Sequence, residues 1–181
     1  MTSQNLQERA NVITFKGKPM TLLGPALHTG DPAPDFHLTA GDLSVVTLDS
    51  LVDGGKRSAM LIVVPSLDTS VCSLESQTFN QRLGELPSNV SASVVSMDLP
   101  FAQARWCGAQ EDVKLGMLSD YRDHSFGLNY GLLIGELGLL ARAVVVIGKD
   151  KKVHYVQLVP EVTNEPNYDE ALKSAASSVS P

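Results

Sequence analysis

The pattern of apolar positions changes abruptly at Pro65, in the first half of the chain. Residues 59–64 are all apolar and mostly branched, and such a run ending at a proline is typical of a buried strand. Polar residues follow, and from about residue 70 to residue 86 the apolar residues recur at helical spacing. The pattern therefore predicts a strand, a loop and a helix, with Cys72 in the first turn of that helix.

The apolar residues of this helix fall on roughly one half of its surface, at about 100° per residue. They are Val71, Leu74, Phe79, Leu83 and Leu86. Cys72 lies between Phe79 and Leu83 on the same projection, so its sulfur is predicted to face the protein body.

The rest of the chain continues this alternation of short apolar segments. Strands are predicted at residues 90–97, 113–118, 139–147 and 153–158, helices at 100–108, 123–130 and 168–176, and a hairpin at 12–15 and 20–23. Asp98 is a candidate cap for the helix that begins at Pro100. We expect an α/β domain with a central mixed sheet flanked by helices, in the thioredoxin-like order, and with an N-terminal β-hairpin extension. Residues 1–11 are predicted to be a flexible N-terminus and residues 12–181 a single domain.

Composition narrows the classes of function. The chain has 181 residues and 43% apolar content, which suits one domain with a sizeable core. Its net charge of -6 argues against nucleic acid or an anionic membrane as a partner. No apolar segment approaches the roughly 18 residues of a membrane span, and the N-terminus lacks an apolar signal region. We therefore expect a cytoplasmic protein.

The chain has only two cysteines, Cys72 and Cys107. Two are too few for a disulfide scaffold, and the four histidines lie far from any metal-binding spacing. A C-x-x-C pair is also absent from the sequence. The cysteines are therefore either two inert thiols or a transient redox couple.

Each cysteine has two interpretations on position alone. At a helix N-terminus, unpaired backbone N–H groups and the helix dipole favour a thiolate, so Cys72 is a candidate nucleophile. It could equally be a small buried apolar residue. Cys107, beside Gly108 at a helix end that can fray, is either an accessible partner or a core residue.

Four other residues have both a structural and a functional interpretation. Arg142 enters an otherwise apolar strand, so it needs a counter-ion or a pocket, unless it reaches solvent at the strand end. Thr69 is a helix cap whose hydroxyl would also lie near the sulfur, and Pro65 could simply end the strand. Glu75, one turn after Cys72, is expected to be a solvated carboxylate, although it could pair with an arginine.

These residues resemble a known family. The spacing Pro65-x-x-x-Thr69-x-x-Cys72 matches the active-site pattern of the peroxiredoxins, in which many members carry an acidic or amide residue at the position of Glu75. Segments 98–108 and 140–147 resemble the thiol peroxidase branch, an atypical 2-Cys group, and the likeness covers about residues 12–176. Trp106 is bulkier than the residue expected before the second cysteine.

The resemblance implies a role for each candidate. Cys72 would be the peroxidatic nucleophile and Cys107 the resolving cysteine. Thr69 and Arg142 would hydrogen-bond the thiolate and the peroxide, and Pro65 would shield the sulfur. No metal or other cofactor is implied.

The resemblance also implies a reaction cycle. A thiolate at Cys72 would reduce hydrogen peroxide or an organic or lipid hydroperoxide and become a sulfenic acid. An intrachain Cys72–Cys107 disulfide would follow, to be recycled by thioredoxin, and the enzyme would be a homodimer. The alternative is a peroxide sensor that relays oxidation to a partner protein without turnover.

Overall fold

The computed structural model describes residues 6–179, and the predicted alternation of strands and helices is present. The strands are β1 (Glu8–Phe15), β2 (Lys18–Leu23), β3 (Leu38–Thr39), β4 (Val45–Val46), β5 (Ser58–Val63), β6 (Val90–Ser96), β7 (Gly116–Ser119), β8 (Leu133–Ile134), β9 (Leu139–Leu140), β10 (Ala143–Ile147) and β11 (Val153–Leu158). The α-helices are α1 (Leu48–Leu51), α2 (Ser70–Arg82), α3 (Pro100–Gly108), α4 (Ser125–Asn129) and α5 (Tyr168–Ser177).

The strands form two sheets. The larger has seven strands in the order β11-β10-β5-β6-β7-β3-β4, and the smaller has four in the order β1-β2-β8-β9. In the larger sheet β5, β6 and β7 are parallel, whereas β10 is antiparallel to both β5 and β11. The predicted mixed sheet is therefore confirmed.

The central strands are buried on both faces, which explains why their sequences are continuously apolar instead of alternating. Leu61 and Val63 of β5 face a cluster that includes Phe126 of α4. Met60 and Ile62 face the opposite side, where α2, α3 and α5 contribute Phe79, Trp106 and Leu172. Helices thus flank the sheet, as predicted.

The N-terminal hairpin is present but begins earlier than predicted. Strand β1 starts at Glu8, inside the segment 1–11 that was predicted to be flexible, and residues 1–5 lie outside the described residues. The two residues between β1 and β2, Lys16 and Gly17, both have positive φ angles, of 51° and 75°. This is the turn geometry that matches the right-handed twist of paired strands.

One predicted strand is split in two. Residues 139–147 form β9 in the smaller sheet and β10 in the larger, with Ala141 and Arg142 between them. The backbone N–H of Ala141 donates to the carbonyl of Leu132 at 2.8 Å, beside the pairing of β9 with β8. Arg142 therefore lies where the chain passes from one sheet to the other.

Two details of the predicted helices are wrong. Asp98 does not cap α3, whose N-cap is Leu99, because its carboxylate instead accepts hydrogen bonds from Ser66, Leu67 and Ser96. Leu74 of α2 is half exposed, since it lies about 160° around the helix from Cys72.

None of the helices within residues 6–179 is long and apolar enough to cross a membrane.

Candidate active site

The candidate site lies where the carboxyl end of β5 meets the start of the antiparallel strand β10. Val63 and Ala143 are directly paired across these two strands. Pro65, two residues after Val63, and Arg142, one residue before Ala143, are therefore brought to the same end of the sheet. The carboxyl end of parallel strands is where open α/β sheets usually bind ligands.

Helix α2 begins beside this point and carries Cys72 in its first turn. Thr69 occupies the N-cap position, but its hydroxyl does not cap the helix and instead donates to the carbonyl of Ser66 at 3.0 Å. The predicted inward orientation of Cys72 is confirmed, because only 1% of the residue is exposed. Its sulfur lies at the positive end of the helix dipole, which favours negative charge there.

Arg142 is the centre of the polar contacts. It is 2% exposed, and its Nη2 donates to the sulfur of Cys72 at 3.2 Å. Its Nη1 is hydrogen-bonded to the carboxylate of Glu75, and its Nε donates to the carbonyl of Val162 at 2.9 Å. The planar guanidinium is therefore held from three directions, a geometry that a lysine could not reproduce. The idea that Arg142 reaches solvent is wrong.

The expectation that Glu75 is a solvated carboxylate is also wrong. Glu75 is fully buried and forms an ion pair with Arg142. Burial raises the pKa of Glu75 to about 7, although the positive charge of Arg142 acts in the opposite direction. Burial tends to lower the pKa of Arg142, but the charges of Glu75 and Cys72 outweigh it and raise that pKa. The guanidinium thus stays charged beside the sulfur.

A pocket of about 270 Å³ opens onto these groups. Pro65, Thr69, Cys72 and Arg142, four of the five residues predicted from the sequence, line it together. Most of the remaining wall is apolar and comes from Phe15, Val71, Ile134, Leu137, Leu139 and Val162. The arrangement places a thiol and a cationic hydrogen-bond donor in a largely apolar cleft, where electrostatic interactions are strengthened.

Cys107, the fifth predicted residue, does not line this pocket. It lies in the last turn of α3, as predicted, and is half-buried against the hydrophobic cluster that contains Cys72. Burial raises the pKa of the Cys107 thiol. Both cysteines are free thiols in this structure.

Polar contacts connect the end of α3 to α2. The indole N–H of Trp106 donates to the hydroxyl of Ser73 at 3.1 Å, and the side-chain amide of Gln77 donates to Gln110 at 2.8 Å. Trp106, whose role the sequence leaves open, is 7% exposed and packs in the same cluster as Cys72. These contacts oppose movement of the segment that carries Cys107.

The alternative that Glu75 pairs with an arginine is confirmed, but sequence reasoning missed the burial of Glu75 and the contribution of Val162. The buried position of Glu75 has a signal, because a residue three positions after Cys72 lies only about 60° from it around the helix. The carbonyl of Val162, which accepts from Arg142, has no sequence signal because any residue supplies a carbonyl. Within residues 6–179, no cluster of three or more His, Cys, Asp or Glu side chains could hold a metal ion.

Known proteins resemble this chain over most of its length. The redoxin family model matches residues 28–172. A thiol peroxidase of Halalkalibacterium halodurans is 49% identical over 163 residues, which cover 90% of this chain and 96% of that protein. A thiol peroxidase of Streptococcus pneumoniae strain R6 is 48% identical over 164 residues, covering 91% of this chain and 98% of that protein.

A solved structure agrees with these relatives. The peroxiredoxin-like protein from Aquifex aeolicus is 41% identical and superposes with a TM-score of 0.85, covering 97% of this chain and 100% of that chain. With a matching family model, similar relatives and a shared fold, the chain belongs to the redoxin family. Thiol peroxidases match it over nearly their whole length, so it is a thiol-dependent peroxidase of the peroxiredoxin type.

Proposed function

We propose that this peroxidase reduces hydrogen peroxide and organic hydroperoxides, including lipid hydroperoxides, with Cys72 as its nucleophile and Cys107 as its resolving cysteine. One observation carries the proposal: the guanidinium of Arg142 donates to the Cys72 sulfur at 3.2 Å inside the pocket. A buried cation favours the thiolate, the form that attacks a peroxide. The apolar walls of the pocket support acceptance of an organic chain.

In the first step the Cys72 thiolate attacks one oxygen of the hydroperoxide. A sulfur–oxygen bond forms while the oxygen–oxygen bond breaks, and the departing oxygen takes a proton to leave as an alcohol or as water. Arg142 stabilises the charge that develops on the two oxygens, and Thr69 positions the substrate. Pro65, buried in the pocket wall, keeps bulk water from the sulfur.

In the second step the thiol of Cys107 attacks the Cys72 sulfenic acid. A disulfide forms within the chain and one water is released. In this proposed step the last turn of α3 unwinds to bring the two sulfurs together, and a helix end opens at low cost. An external dithiol protein, thioredoxin by family resemblance, then reduces the disulfide by exchange and is itself oxidised.

Family resemblance also supports a homodimer acting in the cytoplasm, where such dithiol proteins are kept reduced. Sedimentation of the full chain tests the dimer, and a sedimentation coefficient of a monomer at micromolar concentration would rule it out.

The roles of the two cysteines are tested by Cys72→Ser and Cys107→Ser variants. With hydrogen peroxide and a thioredoxin system, both should lose turnover, but only Cys107→Ser should consume one equivalent of peroxide and stop as a sulfenic acid. Turnover by Cys72→Ser at the wild-type rate would overturn the assignment. Wild-type protein that is oxidised once but never cycles with a dithiol reductant would favour the peroxide sensor.

Intact mass after one equivalent of peroxide tests the disulfide. The wild-type chain should lose two hydrogens and remain a single chain without reductant. A covalent dimer would place the bond between chains instead.

A further inference from the structure

Glu161 lies outside the pocket but is held by an unusual number of hydrogen bonds. Its carboxylate accepts from the hydroxyls of Thr14 and Thr163, both at 2.7 Å, and from the backbone N–H groups of Lys16, Gly17 and Thr163 at 3.0 to 3.1 Å. These hydrogen bonds, with that of Thr14 the largest contribution, lower the pKa of Glu161. The group is therefore a carboxylate at neutral pH.

These contacts join two segments that are distant in the sequence. Thr14, Lys16 and Gly17 belong to the N-terminal hairpin, whereas Glu161 and Thr163 belong to the connection between β11 and α5. Backbone hydrogen bonds reinforce the junction, because the Thr14 N–H donates to Pro160 at 2.8 Å and Thr14 accepts from Val162 at 2.9 Å. The tight turn at Lys16 and Gly17 aims both of its N–H groups at the one carboxylate.

The same connection supplies one of the three contacts that hold Arg142. Val162 follows Glu161 directly, and its carbonyl accepts from Nε of Arg142 at 2.9 Å. The other two contacts, with Cys72 and Glu75, come from helix α2. The guanidinium therefore lies between a helix that carries the nucleophile and a connection that Glu161 joins to the hairpin.

We propose that Glu161 is a positioning residue for peroxide reduction, acting through the Val162 carbonyl on the orientation of the Arg142 guanidinium. The inference rests on the proposed role of Arg142. Removing the carboxylate would loosen the connection and let the guanidinium turn away from the sulfur. The peroxide step, and not the later disulfide step, should suffer.

The chain contains a matched control for this residue. Glu136 is an exposed carboxylate that also accepts a backbone N–H of the hairpin, that of Thr21, with both of its oxygens. Glu136 lies in the β8–β9 turn. Within residues 6–179, none of its side-chain hydrogen bonds reaches the connection that carries Val162. Glu161→Gln and Glu136→Gln thus remove the same charge from the two sides of one hairpin.

The experiment measures the second-order rate of Cys72 oxidation by hydrogen peroxide in the full-length chain. Glu161→Gln should lower it about tenfold, since displacement of a reacting group by about 1 Å costs roughly 100-fold. Glu136→Gln should change it by less than about twofold, and neither variant should alter the rate of disulfide formation after oxidation. Equal loss in both variants would mean that Glu161 only stabilises the hairpin, which would overturn the proposal.

A double-mutant cycle separates positioning from general loosening. In an Arg142→Lys background the Nε donor to Val162 is absent, so Glu161→Gln should lower the rate no further. Additive losses would overturn the proposal. If Glu161→Gln does not fold, Thr14→Val takes its place in the same cycle, because it removes one of the five hydrogen bonds to Glu161. The rate of Cys72 oxidation should then fall about threefold.

The outcomes also separate this inference from the proposed function. Inactive Cys72→Ser with unaffected Glu161→Gln would overturn only the role of Glu161. Active Cys72→Ser would overturn the function itself.

Discussion

The two cysteines occupy opposite ends of two helices, and their surroundings differ accordingly. Cys72 lies in the first turn of α2, at the positive end of the helix dipole and 3.2 Å from a guanidinium nitrogen. Cys107 lies in the last turn of α3, at the negative end of its dipole, and no side chain of residues 6–179 donates a hydrogen bond to its sulfur. The dipole thus favours a thiolate at one cysteine and opposes it at the other.

This difference matches the two tasks that we propose. A nucleophile needs fixed neighbours that stabilise its charge, so Cys72 is buried among them. A resolving thiol needs to move, and Cys107 lies at a helix end, where local opening costs least once the contacts of Trp106 and Gln110 are released. Reactivity therefore depends less on the cysteine itself than on what its helix end and its neighbours provide.

The largest expected effect comes from replacing the guanidinium of Arg142, which contacts Cys72 and has no counterpart at Cys107 within residues 6–179. Arg142→Lys keeps a positive charge for Glu75 but cannot contact Cys72, Glu75 and Val162 at once. The second-order rate of Cys72 with hydrogen peroxide should fall roughly 100-fold, the usual loss for a preorganised donor. Stopped-flow oxidation of the reduced protein measures this rate.

The control for this variant is Arg122→Lys, which alters an arginine whose side chain hydrogen-bonds only to Tyr121 within residues 6–179. It should react at the wild-type rate. A wild-type rate for Arg142→Lys as well would show that position at the helix N-terminus is sufficient for Cys72.

A smaller effect is expected from releasing the helix that carries Cys107. Ser73→Ala leaves the indole N–H of the nearly buried Trp106 without its acceptor, at a cost of about 1 kcal/mol to the packed state of α3. Disulfide formation should then accelerate about fivefold, because the open state is populated more often. Fluorescence of Trp106, the only tryptophan of the chain, follows this step.

Ser88→Ala, at an exposed loop position, is the control and should leave both steps unchanged. Slower disulfide formation in Ser73→Ala would mean that the Trp106 contact guides Cys107 toward Cys72 instead of restraining it.

The smallest effect concerns the pH dependence of stability at Glu75. Its pKa is raised to about 7 by burial, so between pH 4.5 and 7 the folded protein holds a proton that the unfolded chain has lost. The free energy of unfolding should therefore fall as pH rises through this window, by less than about 1 kcal/mol between pH 6 and pH 7. Glu75→Gln, which does not titrate, should lose this slope in urea unfolding.

Glu85→Gln is the matched control, because the pKa of Glu85 is lowered by its hydrogen bond with Arg82. Its contribution is lost only at acidic pH, so the slope between pH 6 and pH 7 should persist. An identical slope in wild type and Glu75→Gln would assign the titration to another group.

The sequence predicts the central fold well because its strands are buried on both faces. Segments 59–64 and 90–97 are close to β5 and β6, since a short, continuous run of branched apolar residues strongly favours a buried strand. The division of segment 139–147 into β9 and β10 could not be predicted in the same way. The division depends on tertiary pairing, because β9 pairs with β8 whereas β10 pairs with β5.

Four of the five residues expected by family resemblance line the pocket, but from the residues themselves only the orientation of Cys72 could be predicted. Cys72 faces inward because its helix does, and that is a local property. The burial of Glu75 depends on Arg142, which is distant in the sequence, and without that counter-ion a buried carboxylate is unfavourable. The failure of Asp98 to cap α3 has the same cause, because its carboxylate accepts hydrogen bonds from Ser66 and Leu67, which lie in another loop.

The hydroxyl of Thr69 has a consequence for what the pocket can recognise. It carries one proton, and that proton is donated to the carbonyl of Ser66. Toward a molecule in the pocket, Thr69 can therefore only accept, while the nearby guanidinium of Arg142 can only donate. The two groups form an ordered donor–acceptor pair, which suits a substrate with both an O–H and bare oxygen lone pairs. A hydroperoxide has both, whereas a dialkyl peroxide has no hydrogen to donate to Thr69.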